Sequence, residues 1–155
     1  MIIRRFKPED ADKVSALIIN TLREVNIKDY SKEYIENLIL RMQPDDILQR
    51  AEGTHFYVVC DEERMIGCGA IGPYWDKMDE SCFFNIFVLP EFQGEGIGRM
   101  IMETLEKDEL FLRAKRIEVP ASITATPFYL KLGYTYKNGI HTPDEEGLLR
   151  LEKHK

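Results

Sequence analysis

Apolar and polar residues alternate in the first third of the chain with periods that predict one strand and two or three helices. A short apolar segment at residues 2–6 predicts a strand, and Pro8 opens a helix. The apolar positions of that helix recur at helical spacing: Ala11, Val14, Ile18, Leu22 and Val25. Ser31 is a typical N-cap and predicts a second helix that ends before Pro44, with one or two further helical turns in residues 45–52.

The middle of the chain has the composition of strands. Residues 55–60 and 65–75 predict a hairpin joined by a polar turn. Three glycines in its second strand indicate a bend or a close approach of another part of the chain: Gly67, Gly69 and Gly72. The segment at residues 81–89 is almost entirely apolar, which is typical of a central strand buried on both faces.

Helical and strand patterns alternate in the last third. A glycine-rich turn at residues 91–98 leads into one predicted helix over residues 96–113. The apolar face of that helix would contain Ile97, Ile101, Leu105 and Leu112. A strand at 116–120 and a short helix over 124–132 follow. The Asn138-Gly139 pair is a strong turn signal and predicts a closing hairpin.

The predicted order of elements, β-α-α-β-β-β-α-β-α-β-β, is typical of an α/β domain with a mixed sheet. The chain has 155 residues, the size of one ordinary domain, and no repeat or Ser/Gly-rich linker divides it. We therefore expect a single domain over residues 1–155.

Composition narrows the class of protein. Hydrophobic residues make up 44% and charged residues 31%, as in soluble globular proteins. No apolar run is long enough for a transmembrane helix and no secretory signal begins the chain, so no membrane partner is expected. Three cysteines without a C-x-x-C pair favour a reducing cytoplasm, and the scattered histidines and cysteines predict no metal site.

The net charge of −6 argues against nucleic acid as a partner, because phosphate binding needs a basic face. A negative surface favours cationic substrates slightly. A modest negative charge is more commonly a feature that keeps a protein soluble.

The most informative segment is the glycine-rich junction that follows the apolar strand. The first N–H groups of a helix have no partner within it, and glycine lets a phosphate approach them closely. The segment does not contain the Gly-Lys-Ser/Thr of a P-loop, and Arg99 stands where the dinucleotide fingerprint needs its third glycine. The pattern Q-x-x-G-x-G is present as Gln93, Gly96 and Gly98. A plain glycine-rich turn between a strand and a helix is the alternative.

Two motifs resemble those of the GNAT superfamily of acyl-CoA-dependent N-acetyltransferases. Residues 86–99 are similar to the family's strand followed by P-E-x-Q-G and Q-x-x-G-x-G. Residues 125–134 are similar to its second motif, A-x-x-F-Y-x-K-x-G-[FY]. The motifs occur in the right order at the usual separation, and the order of elements over nearly the whole chain fits as well.

The resemblance implies a single-domain GNAT-like fold. We expect a mixed, mostly antiparallel sheet of six to seven strands, flanked by about four helices. Two splayed parallel strands would form a cleft for acetyl-CoA, the implied cosubstrate. The implied cofactor contacts are Ile86, Phe87, Val88, Gln93, Gly94, Glu95, Gly96, Ile97, Gly98, Arg99, Ser122 and Phe128. Ser122 stands near the place where the family often has asparagine.

The resemblance also implies the chemistry. An amine would attack the thioester directly, through a tetrahedral intermediate whose oxyanion is stabilised by the N–H group near Val88. Tyr129 occupies the position of the tyrosine that commonly protonates the departing thiolate. Many members carry a glutamate in the fourth strand as the base, whereas this strand has Asn85 within it and Glu80 at its start. Glu80 is therefore the candidate base.

Other side chains are weaker candidates. His55 and His141 could each act as a base through water. The aromatic residues Tyr30, Tyr34, Tyr74 and Trp75 lie in segments that border the acceptor pocket in the resembled fold. Ordinary packing is the alternative for all of these side chains.

Three functions stay open at this point. The first is acetyl transfer from acetyl-CoA to a primary amine. The second is a CoA-binding sensor or interaction module without turnover, because the general base is poorly supported. The third, a nucleotide-binding oxidoreductase, is disfavoured by the missing third glycine. The acceptor, a small molecule or a protein N-terminus, is not identified, and the family's frequent homodimers leave a homodimer open.

Overall fold

The chain folds into one seven-stranded sheet with six helices, and the computed structural model describes residues 1–155. The strands are β1 (Ile2–Arg5), β2 (His55–Asp61), β3 (Arg64–Pro73), β4 (Glu80–Val88), β5 (Arg116–Ser122), β6 (Thr135–Tyr136) and β7 (Leu148–His154). The helices are α1 (Ala11–Glu24), α2 (Lys32–Ile39), α3 (Pro44–Glu52), α4 (Ile97–Leu105), α5 (Glu109–Leu112) and α6 (Thr126–Lys131). The spatial order of strands is β1-β2-β3-β4-β5-β7-β6.

The sheet is mixed, as predicted, because β4 and β5 run parallel while every other neighbouring pair is antiparallel. The parallel pair is short. Its only paired residues are Glu80 with Arg116, Ser81 with Ile117 and Cys82 with Glu118. On its other edge β5 pairs with β7 along its whole length, from Arg116 to Ser122. The sheet therefore splits between β4 and β5, which confirms the predicted splayed strands.

Two local features accompany the split. Pro120 in β5 has no N–H group, so it cannot donate to a neighbouring strand. In β4, Asn85 has a φ of 53°, and Gly69 of β3 faces both Asn85 and Ile86. This two-against-one arrangement is a β-bulge, which bends the strand and increases its twist. The proline and the bulge lie beyond the last paired residues of β4 and β5.

Helix α4 approaches β3 closely because β3 has glycine at the contact. A Cβ atom on Gly69 would lie 2.6 Å from Ile101 Cγ2, and one on Gly67 would lie 3.2 Å from Ile101 Cδ1. This confirms the predicted close approach at these glycines. The buried side chains of α1 and α4 join those of β2, β3 and β5 in one hydrophobic core.

The helix predicted over residues 96–113 is divided. α4 ends at Leu105, and α5 begins after Asp108, whose carboxylate accepts a hydrogen bond from the Leu110 N–H at 2.8 Å. An aspartate that caps a helix competes with continuation of the preceding helix. Leu112 was predicted on the apolar face and is instead 64% exposed. This division and the separate helix α3 give six helices where about four were expected.

Two other expectations hold only in part. The closing hairpin is present, because β6 and β7 pair as antiparallel neighbours, but residues 137–147 connect them as a long loop and the Asn138-Gly139 pair is not a tight turn between them. Asn138 adopts a left-handed conformation (φ 56°) in a short 3₁₀ turn instead. The apolar strand is not buried on both faces along its whole length: residues 81–83 are buried, and the remainder is half-buried. The half-buried part is the part that β5 leaves unpaired.

The contact between Gly69 and α4 predicts a sensitive position. Gly69→Ala is expected to lower the free energy of unfolding by about 1–3 kcal/mol, as overpacking of a core typically does, because the Ile101 branch is stiff and cannot move aside. Gly53→Ala is the matched control, since no atom lies within 4 Å of a Cβ built there. Urea denaturation measures both. Equal stability of the two variants would contradict the close packing.

Candidate functional site

A cavity of about 730 Å³ opens where β4 and β5 separate. Its walls come from the first two helices, the unpaired half of β4, the glycine-rich loop before α4, the end of β5, α6 and β7. The two sequence motifs, which are more than 25 residues apart in the chain, both reach this one cavity. The split of the sheet is thus what creates the candidate site.

Most of the predicted cofactor contacts line the cavity: Ile86, Phe87, Val88, Gln93, Gly94, Gly96, Gly98, Arg99, Ser122 and Phe128. Two of the predicted side chains do not. Ile97 is 1% exposed and packs in the hydrophobic core, and Glu95 is exposed on the surface of the loop. At these two positions the side chains point elsewhere, so any contact with a ligand would come from the backbone.

The glycine-rich loop presents a row of free N–H groups. Gly94 and Gly96 have φ values of 82° and 83°, which glycine adopts without strain. The first N–H group bonded within the turn of α4 belongs to Met100, which donates to the Gly96 carbonyl at 3.0 Å. The six N–H groups from Gly94 to Arg99 donate to no protein acceptor. Together with the positive end of the helix dipole, these free donors have the geometry that suits an anion.

Gln93 has a different role from the glycines around it. Its side-chain Nε2 donates to the Val88 carbonyl at 3.0 Å. This bond ties the loop to the end of β4. The Gln93 side chain therefore positions the loop, while the backbone of the following residues is left free for a ligand.

The Val88 N–H group faces the cavity side of β4. The next N–H group, that of Leu89, donates to the Ile66 carbonyl of β3 at 2.9 Å. Since successive N–H groups of a strand point to opposite edges, the Val88 N–H points towards β5, which has separated from β4 at this level. It is a free donor at the edge of the cavity.

Tyr129 lies on α6 and reaches the same cavity. It is 4% exposed, and its hydroxyl has no hydrogen-bond partner within the protein. Since no fully buried side-chain oxygen lacks a partner, this hydroxyl keeps some accessible surface. Burial raises the pKa of this phenol well above its ordinary value of 10, so the hydroxyl is protonated at neutral pH. The neighbouring Phe128 packs beside Gly98, where a Cβ atom would lie 3.1 Å from the Phe128 ring. This contact docks α6 against the glycine-rich loop.

Glu80, the candidate base, does not line the cavity. It begins β4 at the paired end of the strand, where its carboxylate accepts a hydrogen bond from Arg116 at 2.8 Å and forms an ion pair with Lys77 at 3.3 Å. The Arg116 hydrogen bond holds the pKa of Glu80 below its ordinary value, which makes the carboxylate a weaker base. Its position and its partners both indicate a structural role.

The two histidines also lie away from the cavity. His55 Nδ1 is 2.9 Å from the buried carboxylate of Asp108, and Tyr57 donates to the same carboxylate at 2.6 Å. The His141 ring stacks on Tyr136 with centroids 3.9 Å apart. Neither histidine is placed to receive a proton from a ligand in the cavity.

The aromatic candidates divide into two pairs. Tyr30 and Tyr34 line the cavity, with rings stacked 4.4 Å apart. Their hydroxyls each donate to a backbone carbonyl of the loop before β7 at 2.6 Å, which holds this loop over the cavity. Tyr74 lies outside it under the Arg116 guanidinium, and Trp75 is 82% exposed. Only the first pair is part of the site.

Sequence reasoning missed four charged residues of the cavity wall: Arg41, Arg50, Glu146 and Arg150. Arg41 follows α2, Arg50 lies in α3, Glu146 belongs to the loop before β7, and Arg150 lies in β7. No motif marks them, because each is an isolated charge in a segment with no recognisable pattern. Their proximity results only from the way these segments pack around the split.

No group of three or more His, Cys, Asp and Glu side chains is arranged to hold a metal ion. None of the helices has the length and apolar character needed to cross a membrane.

Comparison with protein families gives one match. The acetyltransferase (GNAT) domain family matches residues 52–136, which is more than half of the chain. The matched range begins at the end of α3 and includes the glycine-rich loop and α6. A search of curated proteins found no match.

Solved structures share the fold over nearly the whole chain. PaiA N-acetyltransferase from Thermoplasma acidophilum, in complex with coenzyme A, has a TM-score of 0.84 at 17% identity, over 99% of this chain and 98% of its own. A GCN5-related N-acetyltransferase from Rhodopseudomonas palustris has a TM-score of 0.81 at 22% identity, over 99% and 95%. A Mycobacterium tuberculosis protein in complex with CoA has a TM-score of 0.67 at 17% identity, over 100% and 99%. At these identities the likeness is one of fold.

Proposed function

The chain belongs to the acetyltransferase (GNAT) domain family, and on that premise we propose that it transfers an acetyl group from acetyl-CoA to a primary amine. The observation that carries the proposal is that one cavity is lined by Gly94, Gly96, Gly98 and Arg99 with their free N–H groups, by Val88 with its free N–H, and by Tyr129. An anion site, an oxyanion donor and a proton donor are the three parts that thioester aminolysis uses.

In this proposal acetyl-CoA enters along the split. Its diphosphate is held by the N–H groups of residues 94–99, with Arg99 adding a positive charge at the mouth. The amide groups of its pantetheine arm pair with the unpaired edge of β4 at residues 86–88. Ser122 and Phe128 border the opposite wall of the same passage. The thioester carbonyl then lies at the Val88 N–H.

The proposed reaction has one addition and one elimination. The neutral amine attacks the thioester carbon, and the oxygen becomes an oxyanion that accepts a hydrogen bond from the Val88 N–H. When the tetrahedral intermediate collapses, the carbon–sulfur bond breaks, the Tyr129 hydroxyl gives its proton to the sulfur, and the surplus proton of the attacking nitrogen passes through water and restores the Tyr129 phenol. The raised pKa of Tyr129 keeps the phenol protonated at neutral pH, so its hydroxyl is available as a donor when the thiolate forms beside it.

Glu80, the base expected from the sequence, does not line the cavity, so a different route is proposed for removing the proton from the amine. Glu146 is the only carboxylate that lines the cavity, and its side chain is 65% exposed. An alkylamine with a pKa near 10.4 is only about 0.04% neutral at pH 7, so its proton must leave before attack. We propose that the proton leaves through water at the Glu146 side of the cavity, where the wall is open to solvent.

Amine-dependent release of free thiol from acetyl-CoA tests the function as a whole. A panel of amino acids, peptides, polyamines and aminoglycosides is the appropriate set of acceptors, since the family alone does not identify one. Thiol release with at least one amine, above the rate with water alone, is the expected result. Tight acetyl-CoA binding with no release for any amine would favour a CoA-binding sensor or interaction module.

Gly98→Asp tests the cofactor site. The new carboxylate would repel the diphosphate, and its Cβ would press on the Phe128 ring that lies 3.1 Å away. We expect affinity for acetyl-CoA to fall at least tenfold by calorimetry, since each hydrogen bond to a charged group contributes about 1.5–3 kcal/mol. Gly53→Asp is the matched control, because it adds the same charge at an open position. Wild-type affinity in a folded Gly98→Asp variant would place the CoA site elsewhere.

Tyr129→Phe tests the proton donor. The variant keeps the ring packed against Phe128 and Tyr134 but removes the hydroxyl. We expect kcat to fall at least tenfold, because general acid catalysis typically contributes about 10²–10⁴-fold. Affinity for acetyl-CoA should change less than about threefold. Near-normal kcat would mean that the sulfur takes its proton from water or from the amine.

A further inference from the structure

The charge of the cavity wall is opposite to that of the whole chain. Four arginines line the cavity, against the single carboxylate of Glu146, although the chain carries a net charge of −6. Arg99 has no anionic partner within the protein, and the proposed function assigns it to the diphosphate of CoA. Arg150 is already neutralised by Asp144 at 2.9 Å, with Glu118 and Glu146 each at 3.6 Å.

The other two arginines, Arg41 and Arg50, have no anionic partner in the protein. No carboxylate oxygen lies within 4 Å of either guanidinium, and neither side chain makes a hydrogen bond. The Arg50 guanidinium is nevertheless held in place, because it lies 4.3 Å from the centre of the Phe84 ring. A guanidinium held over an aromatic ring keeps all its N–H donors available.

The position of Arg50 separates it from the diphosphate site. Phe84 precedes Val88 by four residues on β4, which is about 13 Å along a strand. The glycine-rich loop follows Val88 on the other side. The proposed pairing of the pantetheine arm with β4 reaches from Val88 to Ile86, which is two residues, or about 7 Å, short of Phe84. Arg50 therefore lies in the half of the cavity left for the acceptor.

Arg41 belongs to the same half. It lines the cavity just after the end of α2, next in sequence to Met42. Burial raises the pKa of the Tyr34 phenol, and the nearby Arg41 charge opposes that rise. Asn85, the bulged residue of β4, is the polar group between this region and Val88, and its amide nitrogen has only the weak acceptor Met42 Sδ at 3.6 Å. The acceptor half thus offers donors and two unpaired positive charges.

We infer that the acceptor amine carries an anionic group, a carboxylate or a phosphate, which Arg41 and Arg50 bind. The inference rests on the proposed function and specifies its acceptor. The paired N–H donors of a guanidinium match the oxygens of both a carboxylate and a phosphate. A partly closed cavity whose wall carries mainly positive charge concentrates negatively charged ligands. Polyamines, which the negative net charge alone would favour, would place further positive charge beside these arginines.

Matched pairs of acceptors test the inference. Glycine is compared with glycinamide, and phosphoethanolamine with ethanolamine, with spermidine as the cationic reference. The wild-type protein is expected to use the anionic member of at least one pair with kcat/KM roughly 10- to 100-fold higher than the neutral member, the range expected from hydrogen bonds to a charged group. The pair that shows the preference distinguishes a carboxylate from a phosphate.

Arg41→Gln and Arg50→Gln locate the effect. Each is expected to reduce the preference for the anionic acceptor about tenfold by raising KM, while affinity for acetyl-CoA is unchanged. Arg113→Gln is the matched control, because Arg113 is exposed, unpaired and outside the cavity wall. Calorimetric titration of glycine and of phosphoethanolamine into the CoA-saturated protein gives a readout that does not depend on turnover.

The outcomes separate this inference from the proposed function. Acetylation of neutral or cationic amines with equal or greater efficiency would overturn the inference and leave the function standing. Binding of an anionic amine that is lost in Arg41→Gln and Arg50→Gln, without acetylation of any amine, would support the inference and contradict the function. If no anionic amine binds or reacts, or if the two variants behave like Arg113→Gln, the inference is wrong.

Discussion

The site depends on the early end of pairing between β4 and β5. Their parallel ladder stops at Cys82 and Glu118, although both strands continue. At the closed end of the split the buried Glu118 carboxylate is held by Arg116 at 3.0 Å and by Lys137 at 2.8 Å. A buried charge is tolerated only when it is paired in this way. These contacts hold the strands together on one side of the point at which they separate.

The separation of β4 from β5 leaves backbone N–H groups of β4 without a hydrogen-bond partner, and the proposed function uses one of them, that of Val88. The first N–H groups of a helix have no partner within it, so those before and at the start of α4 are free as well. The Val88 N–H and the N–H groups of Gly94, Gly96, Gly98 and Arg99 border a single space. Two close contacts fix that space: α4 lies on Gly69, and Phe128 of α6 lies against Gly98. Glycine at both positions makes the geometry possible because a side chain would push these elements apart.

Charge is distributed unevenly around this framework. The acidic residues that give the chain its net charge of −6 lie largely outside the cavity, and several of them hold the closed end of the split. Glu80 is one of these residues, because its carboxylate binds Arg116 where β4 and β5 are paired. The cavity wall contains four arginines, and only Arg150 among them is paired with carboxylates of the protein. Net charge alone therefore describes the surface better than it describes the site.

The sequence by itself determined most of the strands and helices and the glycine-rich loop. Periodicity, glycine conformations and helix starts are local properties of a few consecutive residues. The loop of residues 94–99 could be identified in this way, as could Tyr129 through its resemblance to a family motif. Tertiary structure decided the rest. Glu80 lies at the paired end of β4 and therefore outside the cavity. The hydrogen bonds of Asp108 divide the segment that periodicity predicts as one continuous helix. Arg41 and Arg50 meet the site only through packing, and no local pattern encodes which distant segments will surround a gap in a sheet.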